Sequence, residues 1–361
     1  MGLFDIFKKK KTDSTFPENE LEQNLIKAAS NISAQKEFYR KLLWNQIYVL
    51  TDEQSVSKEA FQTMKKDIKV KFITFEDGQI PVFKSINRIF DKGIIKEEVP
   101  YLSLKGQHLF DVAKGATFIL NPYSEYGKEL IPEEIMNLMD GTIYDKIDKD
   151  ELEYKNYQEL NEIFERAGKS QEGLILLDGY RRKQLNSDEK VRLEESIKDF
   201  QKCLEIIPNH WQSMVLMAKA FQRLERHIEA LEQFELAFKI EKENHTIPME
   251  ASLEAMHLKD LDKALYYSEE SLKRKPNDFA LMGNHAMNLL VAQKDNEAKE
   301  MIEKAIKLKP NDSVNRNIES MIKDVLFGNR KRPTFEEKTF VRHWNKCFSN
   351  KLEEDSGALG F

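Results

Sequence analysis

The stretch "NEAKEMIEKAIKLKP", residues 296–310, decides the fold. Ala298, Ile302 and Ala305 fall at i, i+4 and i+7, which is one face of an α-helix. Pro310 stops that helix, because proline lacks an amide hydrogen and its ring clashes with the preceding turn. The same pattern recurs along the chain. Pro276 lies 310 − 276 = 34 residues earlier, Pro208 lies a further 276 − 208 = 68 earlier, and Lys242 stands at the midpoint. Ala230, Ala264 and Ala298 share one phase, Phe234, Ser268 and Ile302 a second, and Ala237, Ser271 and Ala305 a third. Small residues let two antiparallel helices approach closely, and larger apolar ones fill the space to the next pair.

This spacing resembles the tetratricopeptide repeat, whose period is about 34 residues. Three good repeats are expected at 211–244, 245–278 and 279–312. A degenerate leading repeat is suggested by Ser196, Phe200, Cys203 and Pro208, with its first helix near "LILLDGYRRKQL" and out of register. Residues 313–327 supply a helix to cover the end of the stack. The array spans about 171–328, an all-α superhelix (α-solenoid). The resemblance implies that the first helix of each pair lines a concave groove for a peptide or amphipathic helix of another protein. The positions it carries over are Gln212, Val215, Lys219, Gln222 and Arg223, then Met249, Leu253, Met256 and His257, then Gly283, Asn284, Met287 and Leu290. Val215 and Lys219 stand where a chaperone-carboxylate clamp has Lys and Asn, so that partner is not expected. Lys219 and Arg223 would meet an acidic group. The three methionines either offer soft apolar area or pack between repeats.

Upstream, residues 18–140 alternate helical and extended patterns. In "KVKFITFEDGQIPVFKS" two β-rich runs flank Asp77-Gly78, a dipeptide suited to a tight hairpin. The order of "NELEQNLIKAA", "FYRKLL", "YVL", "DGQIPVFKS" and "ILNPYSEYGKEL" resembles the bacterial SseB N-terminal domain. The resemblance implies a mixed α/β (α+β) domain and carries over no catalytic residues. Within it, "NPYSEYGKEL" (121–130) collects Asn121, Tyr123, Ser124, Tyr126 and Lys128 at a strand end. That is either a ligand or partner loop or a connector in which Asn-Pro ends the strand and Pro-Glu-Glu starts the next helix. It holds no His, Cys or paired carboxylate to activate a nucleophile.

Composition narrows the function. The 361 residues carry a net charge of −6, which excludes a bulk positive field for nucleic acid. Two cysteines and seven histidines form no metal-ligand spacing, so no metal and no cofactor are expected, and a reducing cytoplasm is. Residues 1–17, beginning "MGLFDIFKKKK", read as a disordered tail, with weak contact to an anionic membrane through residues 2–11 as the alternative. No apolar run is long enough to span a bilayer. Residues 141–170 read as a helical linker. Residues 329–361 read as a basic, amphipathic tail with Val341, Trp344 and Phe348 on one helical face, and His257 as a lone surface or half-buried histidine. The expected function is non-enzymatic adaptor work, capture of another protein. The alternative is a ligand-sensing or enzymatic α/β domain governed by the repeats.

Overall fold

The computed structural model describes residues 4–6, 16–52, 71–95, 99–124, 126–177 and 184–334. The chain divides into two compact units, Met1–Lys155 and Asn156–Phe361.

The first unit is a six-stranded mixed sheet in the order β1-β4-β2-β3-β5-β6. Its strands are β1 (Phe4–Ile6), β2 (Gln46–Leu50), β3 (Ile80–Phe83), β4 (Pro100–Lys105), β5 (Phe118–Leu120) and β6 (Lys128–Leu130). Only β3 and β5 are parallel, with Val82 opposite Leu120. Side chains alternate across the sheet. Ile47, Val49, Val82 and Leu102 face a core shared with α1 (Glu20–Ser30), α2 (Gln35–Trp44), α4 (Gly106–Val112) and α5 (Pro132–Asp140). Leu50, Phe83 and Tyr101 point to the opposite side, onto Ile89 of the short α3 (Ile86–Ile89). Gly106 permits the tight passage from β4 into α4, since a Cβ there would stand 2.1 Å from the Leu42 carbonyl oxygen. Gly78, at φ +84°, closes the Asp77-Gly78 turn, with the Phe75 amide donating to the Gln79 carbonyl at 2.8 Å.

One expectation for this region is corrected. Residues 4–6 are not a free tail: their backbone pairs antiparallel with β4, Phe4 opposite Leu102. Phe16 stacks on Tyr126 at 5.5 Å, with the Arg88 guanidinium over its ring at 4.8 Å. Of the stretch considered for membrane contact, residues 2, 3 and 7–11 lie outside the described residues.

The second unit is a succession of antiparallel helix pairs. Helix α6 (Thr142–Gln171) begins in the first unit and ends in the second. It is no bare linker, because Ile143 and Ile147 are buried in the α/β core, and Leu160, Ile163 and Ala167 are buried among helices of the second unit. The distal half of α6 is the first helix of the leading pair, and α7 (Ser187–Ile206) is the second. Phe164 meets Phe200 edge-on at 5.6 Å, Arg166 bonds Asp199 at 2.7 Å, and the Gln171 amide reaches Ser196 at 3.1 Å. Of "LILLDGYRRKQL", residues 174–177 and 184–185 are not helical and residues 178–183 lie outside the described residues, so the first helix of the pair is the distal half of α6. Gly173, at φ +74°, ends α6 just before that stretch, and the connection to α7 follows. The continuous apolar run had masked the 3-to-4 spacing of Leu160, Ile163, Phe164 and Ala167, which carries the helix.

The remaining pairs are α8 (Trp211–Arg223) with α9 (His227–Ile240), α10 (Thr246–His257) with α11 (Leu261–Arg274), and α12 (Phe279–Val291) with α13 (Asp295–Leu308). Ala230, Ala264, Ala298, Ala237, Ser271 and Ala305 are fully buried, as the close approach of two helices requires. Asp260, Asp278 and Asp312 cap the helices that follow them. The last helix, α14 (Ser313–Leu326), packs Ile318, Met321 and Ile322 onto the end of the stack. Beyond it Arg332 is held by Asp295 and by the Leu290 carbonyl. The face carrying Val341, Trp344 and Phe348 lies outside the described residues.

Candidate interaction face of the helix array

The first helices α8, α10 and α12 carry most of the buried polar residues of the second unit, and they carry the positions named from sequence. Lys219 (α8) donates to Glu250 (α10) at 2.9 Å, and both side chains are 1% exposed. Gln222 donates to Glu250 at 2.8 Å and to Glu254 at 2.7 Å. Glu254 also meets His227 Nδ1 at 2.7 Å, and the His227 ring stacks on His257 at 4.4 Å and 5°. A polar ladder thus ties the first helix of one pair to the first helix of the next. Burial of His257, partly opposed by the Glu254 carboxylate, holds its pKa below the ordinary histidine value.

This arrangement corrects several sequence expectations. Lys219 is consumed by Glu250, because an ammonium withdrawn from water must be paired within the fold, so it is not offered to an acidic partner. Gln222 serves the same ladder. Arg223 bonds the Leu174 carbonyl at 3.0 Å. Met249, Met256 and Met287 are 6%, 5% and 3% exposed and pack in the core rather than presenting soft surface. Asn284 is likewise buried, and His257 is half-buried in its stack.

Gln212, by contrast, lines an apolar cavity of about 240 Å³ between α8 and α10. Phe164, Trp211, Val215, Phe234 and Ile247 form its apolar walls, with Asn244, Thr246 and Glu250 as polar members. Apart from Gln212 and Val215, none of these was expected as a site residue, and Phe234 entered only through the packing pattern of the repeat. Phe164 and Phe234 come from elements assigned to a linker and to a second helix.

The 121–128 loop of the first unit behaves as a connector. Asn121 adopts φ +50°, is fully buried, accepts from the Lys84 amide at 2.9 Å, and donates to Glu22 at 3.3 Å. Arg88 forks onto the two oxygens of Glu22 at 2.9 and 3.2 Å, and also contacts Asp91, which accepts from Ser124 at 2.6 Å. Tyr123 packs against Phe83 at 5.7 Å. Lys128 pairs with Glu134 at 2.9 Å, and Glu134 accepts from the Tyr39 hydroxyl at 2.6 Å. Asn121, Ser124 and Lys128 thus bond within the fold, and Tyr126 lies against Phe16. Among the described residues no group of three or more His, Cys, Asp or Glu side chains is placed to hold a metal ion, and no helix is long and apolar enough to cross a membrane.

Sheet domain and helix pairs define the class of protein: an α/β domain followed by a helical repeat array. Residues 21–137 match the SseB protein N-terminal domain, and residues 292–312 match a tetratricopeptide repeat, so the chain carries these two in that order. Among solved structures it is similar to YrrB, described as a tetratricopeptide protein with an unusual peptide-binding site (16% identity, 45% of this chain and 81% of that one, TM-score 0.36). It is also similar to MamA (12%, 56% and 99%, TM-score 0.40) and to a mutant O-GlcNAc transferase of Thermobaculum terrenum (8%, 42% and 26%, TM-score 0.33). No curated protein matches the chain.

Proposed function

We propose that the chain is a non-enzymatic interaction protein and that a segment of another protein lies along its first helices, α8, α10 and α12. The observation that carries this reading is the apolar cavity between α8 and α10, edged by the Gln212 and Asn244 amides. Binding sites of this kind are concave, mostly apolar, and furnished with a few placed polar groups. The inward-bonded 121–128 loop lends no support to a catalytic reading of the α/β domain. Because Lys219 and Glu250 neutralise each other, the partner segment is expected to bind through apolar and neutral contacts rather than through an acidic head. A photo-crosslinking amino acid placed at Gln212 or Thr246 should trap a defined partner segment, whereas one at the exposed Leu236 of α9 should not. Crosslinks formed only at Leu236 would sink the reading.

A further inference from the structure

Repeat register singles out one seam of the array. Adding 34 to four of the cavity residues gives their counterparts at the next seam: Val215 becomes Met249, Phe234 becomes Ser268, Ile247 becomes Leu281 and Glu250 becomes Asn284. Those four counterparts line the small void between α10 and α12, whose volume is only about 10 Å³. The same register position thus opens into about 240 Å³ at one seam and is closed at the next. The short, branched Val215 leaves room where the long Met249 fills it. At the third position of the series stands Gly283, and the Asn315 side chain occupies that space, with Oδ1 only 2.1 Å from where a Cβ would be. At this register the α8–α10 seam is open and the α10–α12 seam is nearly filled.

We infer that this cavity seats one aromatic side chain of the partner segment, an assignment that rests on the interaction reading above. An apolar cavity of about 150 Å³ suffices for benzene, so about 240 Å³ has room for a phenyl or indole ring. Three of its walls are the rings of Phe164, Trp211 and Phe234, which suit edge-to-face or offset contact with a fourth. Among the described residues the one carboxylate in the lining, Glu250, is already bonded by Lys219 and Gln222, so these residues leave no unbalanced charge to favour a charged anchor. The Gln212 and Asn244 amides can serve the backbone on either side of the ring.

The test uses the full chain, with N-acetyl-L-phenylalaninamide as probe and N-acetyl-L-alaninamide as control, followed through the Ile247 methyl and Trp211 indole resonances. The aromatic amide should shift both signals saturably and the alanine amide should not. Val215→Met copies the filled seam into the open one and should weaken binding by at least about tenfold, the scale of a lost anchor. Val215→Ala, which keeps the space open, should bind within a few-fold of the parent. Absence of saturable shifts, or equal binding by Val215→Met, overturns the assignment. Binding that appears only after truncation at Thr334 also overturns it, because the chain's own final segment would then be the occupant. Should crosslinks at Gln212 and Thr246 persist while the phenylalanine amide finds no site, the interaction reading stands and the aromatic anchor falls.

Discussion

Lys219 shows what burial does to a charge. Its ammonium and the Glu250 carboxylate are each 1% exposed and 2.9 Å apart, and leaving either charge unpaired there would cost several kcal/mol. Lys219→Met strands the carboxylate and should lower unfolding stability by about 3–5 kcal/mol, whereas adding Glu250→Leu should recover most of the loss. Urea denaturation of the two variants checks this. A silent Lys219→Met that nonetheless weakened partner capture would restore the lysine to the binding face. The same logic governs Arg88 and Glu22, whose side chains are 2% and 0% exposed. Nothing in the local sequence marks Glu22, an acidic residue in the first turn of α1, as the centre of a buried network, because its partners Arg88 and Asn121 lie 66 and 99 residues away.

Among elements, the turn inside each helix pair repeats as faithfully as the helices. Glu225, Lys259 and Gln293 stand 34 residues apart, and each adopts the left-handed backbone, with φ of 62°, 62° and 61°. A side chain in that region costs about 1–2 kcal/mol, while glycine gives back part of the gain through its freer unfolded chain. Gln293→Gly should therefore stabilise the array by about 0.5–1 kcal/mol, seen as a raised Tm, because Gln293 is exposed. Lys294→Gly at φ −91° should give no gain. Equal effects at the two positions would show that backbone strain is not the cause. At this scale the sequence was largely legible. Helix phase, proline stops and aspartate caps are written within a few residues of one another, and the α9, α11 and α13 faces follow from them. The leading pair was not, because its first helix continues out of α5's Gly141 cap as one 30-residue helix with no cap or break to mark where a repeat begins.

Across the whole molecule, histidines are unevenly shared between the two units. Of the seven histidines, only His108 precedes residue 200. Burial holds His210, His257 and His285 of the second unit below the usual histidine pKa. Below about pH 6.5 the unfolded chain takes up protons at these sites that the folded array resists, so array stability is full above that pH and declines as pH falls through the window beneath it. Calorimetry between pH 7.5 and 5.5 should show the transition of the helical unit moving to lower temperature. His257→Phe combined with His285→Phe should flatten that dependence. An unchanged pH slope in the double variant would mean that carboxylates, not these histidines, control acid stability.

The sequence alone determined the α/β-then-array order, the 34-residue period, the helix-pair packing residues and the turn at Asp77-Gly78. These are short-range or strictly periodic signals, set by side-chain spacing along one element. The tertiary structure alone decided that Lys219 answers Glu250 and not a ligand, that the methionines of the first helices are core, and that Asn121 and Ser124 are bonded to Glu22 and Asp91. It also decided that Val215, one position among three equivalents, leaves a cavity open. Each of these depends on which residues from distant turns meet across a packed seam. That meeting is governed by the volumes of side chains on several helices at once, a quantity no single stretch of the chain contains.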